Sequence, residues 1–363
     1  MDPFQDYRPY SDAEIPDAML RIVSDPVFPK VADYVYPGVP LEDVKRKVAS
    51  ITTVYDLQVV IMRDALERVM RNSMTEFTYE VSSLLNPDEP YLFVSNHRDI
   101  TLDAMLLDYA LHFSGHAMPQ ITFGSNLMEF PLMSVAGRAN KMFRVDRGGS
   151  PREFYRKLML TSQYIRHVIT EQHESVWIAQ RNGRTKDGLD ATDPAIVKMF
   201  ALSGDKDLTQ ALLPLHIVPV TISYEWEPCD LLKAEERFRS CGGHYVKAPG
   251  EDVHSIMTGI LSPKGRVHLH IGDPLTPDEI ASCDGDPRRV ASLLDSHINP
   301  AFTFYPNNYV AAELLGHAEK LADHPVTDAE REAFEARLQQ LSDPLNPDLR
   351  SLFLHIYANP LIR

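Results

Sequence analysis

Along the first 85 residues the apolar positions recur with helical spacing. Within 52–74, Leu57, Ile61, Ala65 and Val69 return every fourth residue, a stripe that predicts an amphipathic helix. Residues 11–85 as a whole read as helical. The run Asn86-Pro87-Asp88-Glu89-Pro90 then breaks the chain, and beyond it the pattern changes. Residues 91–94 form a short continuous apolar run closed by Ser95-Asn96-His97, which suits a buried strand. A helix over 101–112 and a strand over Gln120–Gly124 follow. A glycine-containing passage leads to a further strand, Met142–Val145. Ser150-Pro151-Arg152-Glu153 then places Ser at an N-cap, Pro at the first helical position and Glu at the third, and so opens the next helix. Residues 176–180 read as a buried strand. Asp193-Pro194 opens another helix, and 216–224 and 267–271 are the last strands. Residues 276–363 look mainly helical. Strands alternating with helices imply an α/β fold with a mostly parallel central sheet flanked by helices. The division is an N-terminal helical region over 1–85, an α/β domain over 86–275 and a C-terminal helical region over 276–363.

Composition narrows the class. A chain of 363 residues can bury a large core, and 44% hydrophobic with 24% charged residues is ordinary for a globular protein. The opening residues carry neither a basic nor an apolar leader segment, so no signal peptide is expected. The most apolar window, 211–222, holds His216 and two prolines and is too short to span a bilayer. Cys229, Cys241 and Cys283 follow no metal spacing and read as reduced thiols in the cytosol. The net charge of −15 argues against nucleic acid as a partner. From Arg138 to Lys186, however, eleven basic residues face four acidic ones, a local balance of +7 that leaves −22 elsewhere. A basic island in an acidic chain suggests a local anionic ligand. A solvated helix face accounts for Arg152, Arg156, Lys157 and Arg166 but less well for Arg144, Arg147, Arg181 and Arg184, which sit beside strand ends and glycines.

The candidate chemistry starts at His97. A histidine ending a strand just before a helix lies where α/β folds place reactive groups, and it titrates near neutrality. With a carboxylate on its other ring nitrogen it makes a general base, and Asp99 and Asp103 both follow closely. Three further strand-end segments come after it in order: Arg144-Val145-Asp146-Arg147-Gly148-Gly149, then Asn182-Gly183-Arg184, then Pro219. There is no G-x-S-x-G elbow, Walker A or G-x-G-x-x-G. The pairs His112/His116 and His268/His270 read as structural or surface histidines rather than metal ligands.

These four segments, over about residues 85–275, resemble the glycerolipid acyltransferase family, whose members acylate glycerol 3-phosphate and lysophosphatidate. The resemblance implies that Asn96-His97 opens the first block and that His97 takes the proton of the acceptor hydroxyl. The family sets four residues between its His and Asp, whereas this chain has five, 98–102. Asp103 is therefore the favoured partner, with Asp99 in reserve. The resemblance also implies that Arg147, with Arg144 nearby, holds the acceptor phosphate. Asn182, Gly183 and Arg184 stand for a third block that normally reads Glu-Gly-Thr-Arg, and Pro219 for the fourth. The expected reaction, in phospholipid biosynthesis, moves an acyl group from acyl-CoA or acyl-carrier protein to glycerol 3-phosphate or 1-acylglycerol 3-phosphate. It uses no metal or other cofactor. The expected setting is cytoplasmic, with peripheral contact at the inner face of the membrane through an apolar surface such as 351–362. Two rivals stay open: another lipid alcohol as acceptor, and a lipid-binding relative that has lost catalysis.

Overall fold

The structure, a computed structural model, describes residues 3–146, 148–240, 245, 248, 250–322 and 324–362. Arg147 and Cys241 therefore lie outside the described residues. Cys229 and Cys283 are free and buried.

Helices α1 (Ile15–Val23), α2 (Phe28–Val35) and α3 (Leu41–Ala49) enclose a small core of Ile15, Met19, Phe28, Val44 and Val48. The amphipathic stripe that follows is helical but interrupted. Leu57–Met62 winds as a π-helix before α4 (Arg63–Ser73) resumes. A π turn takes one residue more than an α turn, so the buried face rotates. Leu57, Gln58, Leu66 and Val69 face inward, whereas Ile61 and Ala65 are only half-buried.

The helical reading of 11–85 fails at its end, because Met74–Val81 is strand β1, an edge strand paired in parallel with β7. Its alternation of Phe77, Tyr79 and Val81 with Thr78 and Glu80 has period two, which a helix cannot use. The N-terminal region thus contributes to the sheet. The other strands are β2 (Leu92–Ser95), β3 (Gln120–Gly124), β4 (Met142–Val145), β5 (Val176–Ala179), β6 (Ile217–Tyr224) and β7 (Gly265–Ile271). Their order is β1-β7-β6-β2-β5-β3-β4, parallel at every pairing except β6 with β7. Strand β2 is central, between β5 and β6, and every residue of it is buried. A strand covered on both faces must be apolar throughout, and this run is.

Each face of the sheet has its own core. On one, Phe93, Trp177, Val220, Ile222, Val267 and Leu269 pack with α4 and α5 (Leu102–Phe113). On the other, Leu92, Val94, Ile178 and Ile217 pack with α6 (Pro151–Thr170), α7 (Pro194–Ala201) and α8 (Pro287–Ile298). The Ser150 capping box opens α6, and the Asp193 side chain caps α7. At the C-terminal end, α9 (Asp230–Ser240), α10 (Glu251–Leu261), α11 (Pro306–Leu314), α12 (Asp328–Leu338) and α13 (Pro347–Ile362) complete the molecule. Helix α13 buries Leu349, Phe353, Leu354, Ile356 and Tyr357. The expectation of an apolar membrane-facing surface over 351–362 is thereby corrected. At about 1.5–3 kcal/mol for each large apolar side chain, undocking that helix would cost on the order of 10 kcal/mol. Among the described residues no helix is long and apolar enough to cross a membrane.

Candidate active site

Strand β2 delivers its last residues to the edge of the sheet where β5 and β6 also end. Asn96 N–H donates to the Val220 carbonyl at 3.3 Å, and the Asn96 side chain exchanges two hydrogen bonds with Ile222, so Asn96 is fully buried and occupied by the scaffold. His97 follows as the chain leaves the ladder. Its Nδ1 lies 2.9 Å from Asp103 Oδ2, and its side chain keeps 14% exposure. That same oxygen accepts the backbone N–H of Arg98 at 2.6 Å and of Asp99 at 2.9 Å, and Tyr224 Oη donates to Oδ1 at 2.8 Å. Every other partner of Asp103 is a donor, so Nδ1 of His97 donates too, and Nε2 is left bare. The Trp177 ring packs edge-on against the imidazole at 5.7 Å between centroids and is itself fixed by a 3.0 Å bond from Nε1 to Ser95 Oγ.

Asp99 has a different duty. Its Oδ1 accepts the N–H groups of Thr101 and Leu102, both at 2.8 Å, which caps the start of α5. Its Oδ2 has no hydrogen-bond partner among the described residues and rests against Gly259 of α10, where a Cβ would come within 2.2 Å of it. Only glycine fits there. Nearby, burial lowers Lys264 from its ordinary pKa of 10.5 to about 8, although Asp99 pulls the other way.

Beneath His97 lies a buried ion network that the sequence reading did not anticipate. Arg98, 1% exposed, reaches Asp190 through Nη2 and Glu227 through Nη1 at 3.2 Å. Lys233 bridges Glu227 Oε1 at 2.5 Å and the Arg98 carbonyl at 2.7 Å. Two cations thus meet two carboxylates. Burial opposes the charge on Arg98, yet Asp190 and Glu227 raise its pKa. Asp190 Oδ2 also receives Asn96 Nδ2 at 3.1 Å, so one carboxylate holds both neighbours of His97. Thr185 closes the circuit, with its hydroxyl on Asp190 at 2.6 Å and its N–H on the His97 carbonyl at 2.8 Å. The backbone around the imidazole is therefore fixed from both sides. Arg98 and Asp190 lie 92 positions apart and Arg98 and Glu227 lie 129 apart, so no local pattern announces the group.

His97 opens onto a cleft of about 120 Å³ lined by Ile100, Phe123, Trp177, Arg181, Arg184 and Lys186, with Gly183 at its wall. Gly183 has φ +78, a conformation that favours glycine and lets the loop after β5 turn. Arg184 is only 9% exposed, and its Nη1 has no hydrogen-bond partner among the described residues. Burying a guanidinium with an unused donor is costly, and an anion in the cleft would relieve that cost. Lys186 is tied to Glu236. Asn182 is exposed and does not line the cleft. Neither does Arg144, which is exposed and paired with Asp146 at 2.6 Å. Pro219 borders a separate hollow with Glu80 and His270. The structure thus gathers His97, Asp103, Gly183 and Arg184, and leaves Asn182, Arg144 and Pro219 elsewhere.

Comparison with known proteins finds similarity over the same part of the chain. Residues 76–223, spanning β1 to the end of β6, match the Acyltransferase family model. A curated glycerol-3-phosphate acyltransferase of Pseudoalteromonas translucida (strain TAC 125) is 26% identical over 203 residues, 55% of this chain, and the match spans 23% of that protein's length. Among solved structures, the 1-acyl-sn-glycerophosphate (LPA) acyltransferase PlsC from Thermotoga maritima superposes with a TM-score of 0.39 at 13% identity, over 78% of this chain and 92% of that one. The part of the sheet that carries His97 is thus similar to the Acyltransferase family and the chain to a glycerol-3-phosphate acyltransferase, and the chain spans less than a quarter of that curated relative's length.

Proposed function

We propose that the protein transfers a fatty acyl group from a thioester, acyl-CoA or acyl-carrier protein, to the hydroxyl of glycerol 3-phosphate or 1-acylglycerol 3-phosphate. The observation that carries this reading is the bare Nε2 of His97 at the mouth of a cationic cleft, with Nδ1 anchored on Asp103. An alcohol is a poor nucleophile at neutral pH, and a positioned base contributes about 10²–10⁴ in rate. Nε2 accepts the hydroxyl proton as the oxygen attacks the thioester carbonyl, and Asp103 stabilises the imidazolium that forms. The tetrahedral intermediate then collapses with cleavage of the C–S bond. The departing thiolate takes the proton back from Nε2, so the base is regenerated and no other reactant is needed. Arg184, with its unused Nη1, would meet the acceptor's phosphate, and its place in the cleft favours a phosphorylated acceptor over a neutral alcohol. A cytoplasmic setting at the inner face of the membrane suits a water-soluble donor and a lipid product.

The test presents purified protein with acyl-CoA and, separately, acyl-carrier protein, against glycerol 3-phosphate, 1-acylglycerol 3-phosphate and unphosphorylated glycerol, and reads ester products by mass spectrometry. Acylation of a phosphorylated acceptor is expected. Release of free fatty acid alone, or transfer only to glycerol, would contradict the proposal.

A further inference from the structure

On the face of the sheet opposite Tyr224, β7 and β1 present donor groups that acyl transfer does not use. Strand β7 turns Val267, Leu269 and Ile271 into the core and leaves His268 and His270 half-buried on the other side. Two residues apart on a strand, the two imidazoles project from the same face. The parallel register with β1 sets Thr78 beside His268 and Glu80 beside His270. One ligand atom from each of Glu80, His268 and His270 lies within 4.8 Å of the other two.

The geometry is close to that of a coordination shell. With metal–nitrogen and metal–oxygen bonds of about 2.0–2.2 Å, neighbouring ligand atoms of a tetrahedral ion stand about 3.4 Å apart. Glu80 Oε2 and His270 Nδ1 are already at 3.3 Å. His268 Nδ1 meets Thr78 Oγ1 at 2.8 Å, which leaves Nε2 for an ion and supplies the outer hydrogen bond that orients a ligating histidine. An ion pair between His270 and Glu80 explains one contact but not the third ligand converging on it. The neighbouring hollow, bordered by His270, Gly272, Asp273 and His297, gives an ion a route in from solvent.

We propose that Glu80, His268 and His270 bind one zinc-like divalent transition-metal ion, which clamps edge strand β1 to β7. Two imidazoles and one carboxylate suit zinc, cobalt or nickel, whereas magnesium and calcium favour shells of oxygen. Three protein ligands leave at least one position for water. The ion holds residues 80 and 268–270 together only in the folded chain, so it stabilises the native state by mass action.

The test uses the full-length protein, stripped of metal by a chelator and titrated with zinc chloride by calorimetry in a non-coordinating buffer. One zinc per chain is expected, with no matching uptake of magnesium chloride. His268→Ala and His270→Ala should each weaken binding at least about tenfold, and Thr78→Val should weaken it by about 10–100-fold through the outer hydrogen bond. Zinc should raise the melting temperature of the wild type and not of the histidine variants. Because the ligands are not fully buried, circular dichroism should show the variants folded. Cobalt chloride in place of zinc should give the visible absorption of a tetrahedral ion. No saturable zinc uptake, or uptake at one ion per chain that persists in His268→Ala/His270→Ala, would overturn the proposal.

Discussion

Asp103→Asn removes one charge from the His97 site while keeping its shape. In the wild type, Asp103 Oδ2 takes three N–H groups, from His97, Arg98 and Asp99, and Oδ1 takes the Tyr224 hydroxyl. An asparagine can place its carbonyl oxygen where Oδ2 stood and turn its NH₂ toward Tyr224, whose oxygen can accept. The His97 tautomer therefore survives, and the fold should lose about 1–3 kcal/mol from the reworked bonds. What disappears is the negative charge facing the imidazolium of the transition state. At about 4 Å between charge centres and an effective dielectric near 20, that attraction is about 4 kcal/mol. At 1.36 kcal/mol per decade this is about a thousandfold in kcat. Asp99→Asn is the control, because an asparagine oxygen still caps Thr101 and Leu102, and a cap exchanged for another good cap costs little. The assay is steady-state acylation with thioester donor and phosphorylated acceptor, paired with thermal melts of both variants. A folded Asp103→Asn enzyme within about tenfold of wild type, or a larger rate loss in Asp99→Asn, would refute the assignment of Asp103 as the partner of His97.

Arg184→Ala should raise KM for the phosphorylated acceptor by about 10–100-fold, the worth of a charge-assisted hydrogen bond. The effect should grow at low ionic strength, and an equal loss against an unphosphorylated acceptor would remove the phosphate role. Asp190→Ala leaves Arg98 buried without its main counter-ion, so urea unfolding should show a loss of about 3–5 kcal/mol; a loss below about 1 kcal/mol would show that the ion network does not hold the His97 segment. Lys264 gives a signed pH test. Its folded pKa of about 8 lies below the ordinary 10.5, so between those values the unfolded chain binds more protons and stability rises with pH, by up to about 3 kcal/mol. Lys264→Met lacks that titration, so any stability advantage of the variant at pH 7.5 should shrink by about 2 kcal/mol at pH 10. A difference that stays constant with pH would contradict the burial argument.

The parts of the fold legible in the sequence are those where a short apolar run ends in polar residues. Strands β2 and β5 have this form because the sheet buries them on both faces, and periodicity then reduces to length and boundaries; β3 and β4, toward the sheet edge, keep a shorter apolar start. Strand β1 escaped because it is an edge strand continuous with α4, and its alternation competes with the preceding helical period. The apolar content of 351–362 was visible, but not its partner: a helix apolar on most sides is a core helix. At the site, His97 and Asp103 were readable because strand end and helix start are adjacent in the chain. Arg98, Asp190, Glu227 and Lys233 were not, since β2, β5 and β6 are brought together only by the sheet order. Pro219 was misjudged for the same reason: its strand neighbours β2, but its side borders the hollow with Glu80 and His270.

The most direct test of the account is single-turnover acylation of glycerol 3-phosphate and 1-acylglycerol 3-phosphate by wild type and His97→Ala, with both thioester donors and with circular dichroism on the same samples. His97 is partly exposed and lies outside the buried ion network, so its loss should leave the fold intact. The account predicts ester formation by the wild type and a loss of at least about a hundredfold in the variant. A folded His97→Ala protein that acylates at a near-normal rate would contradict it.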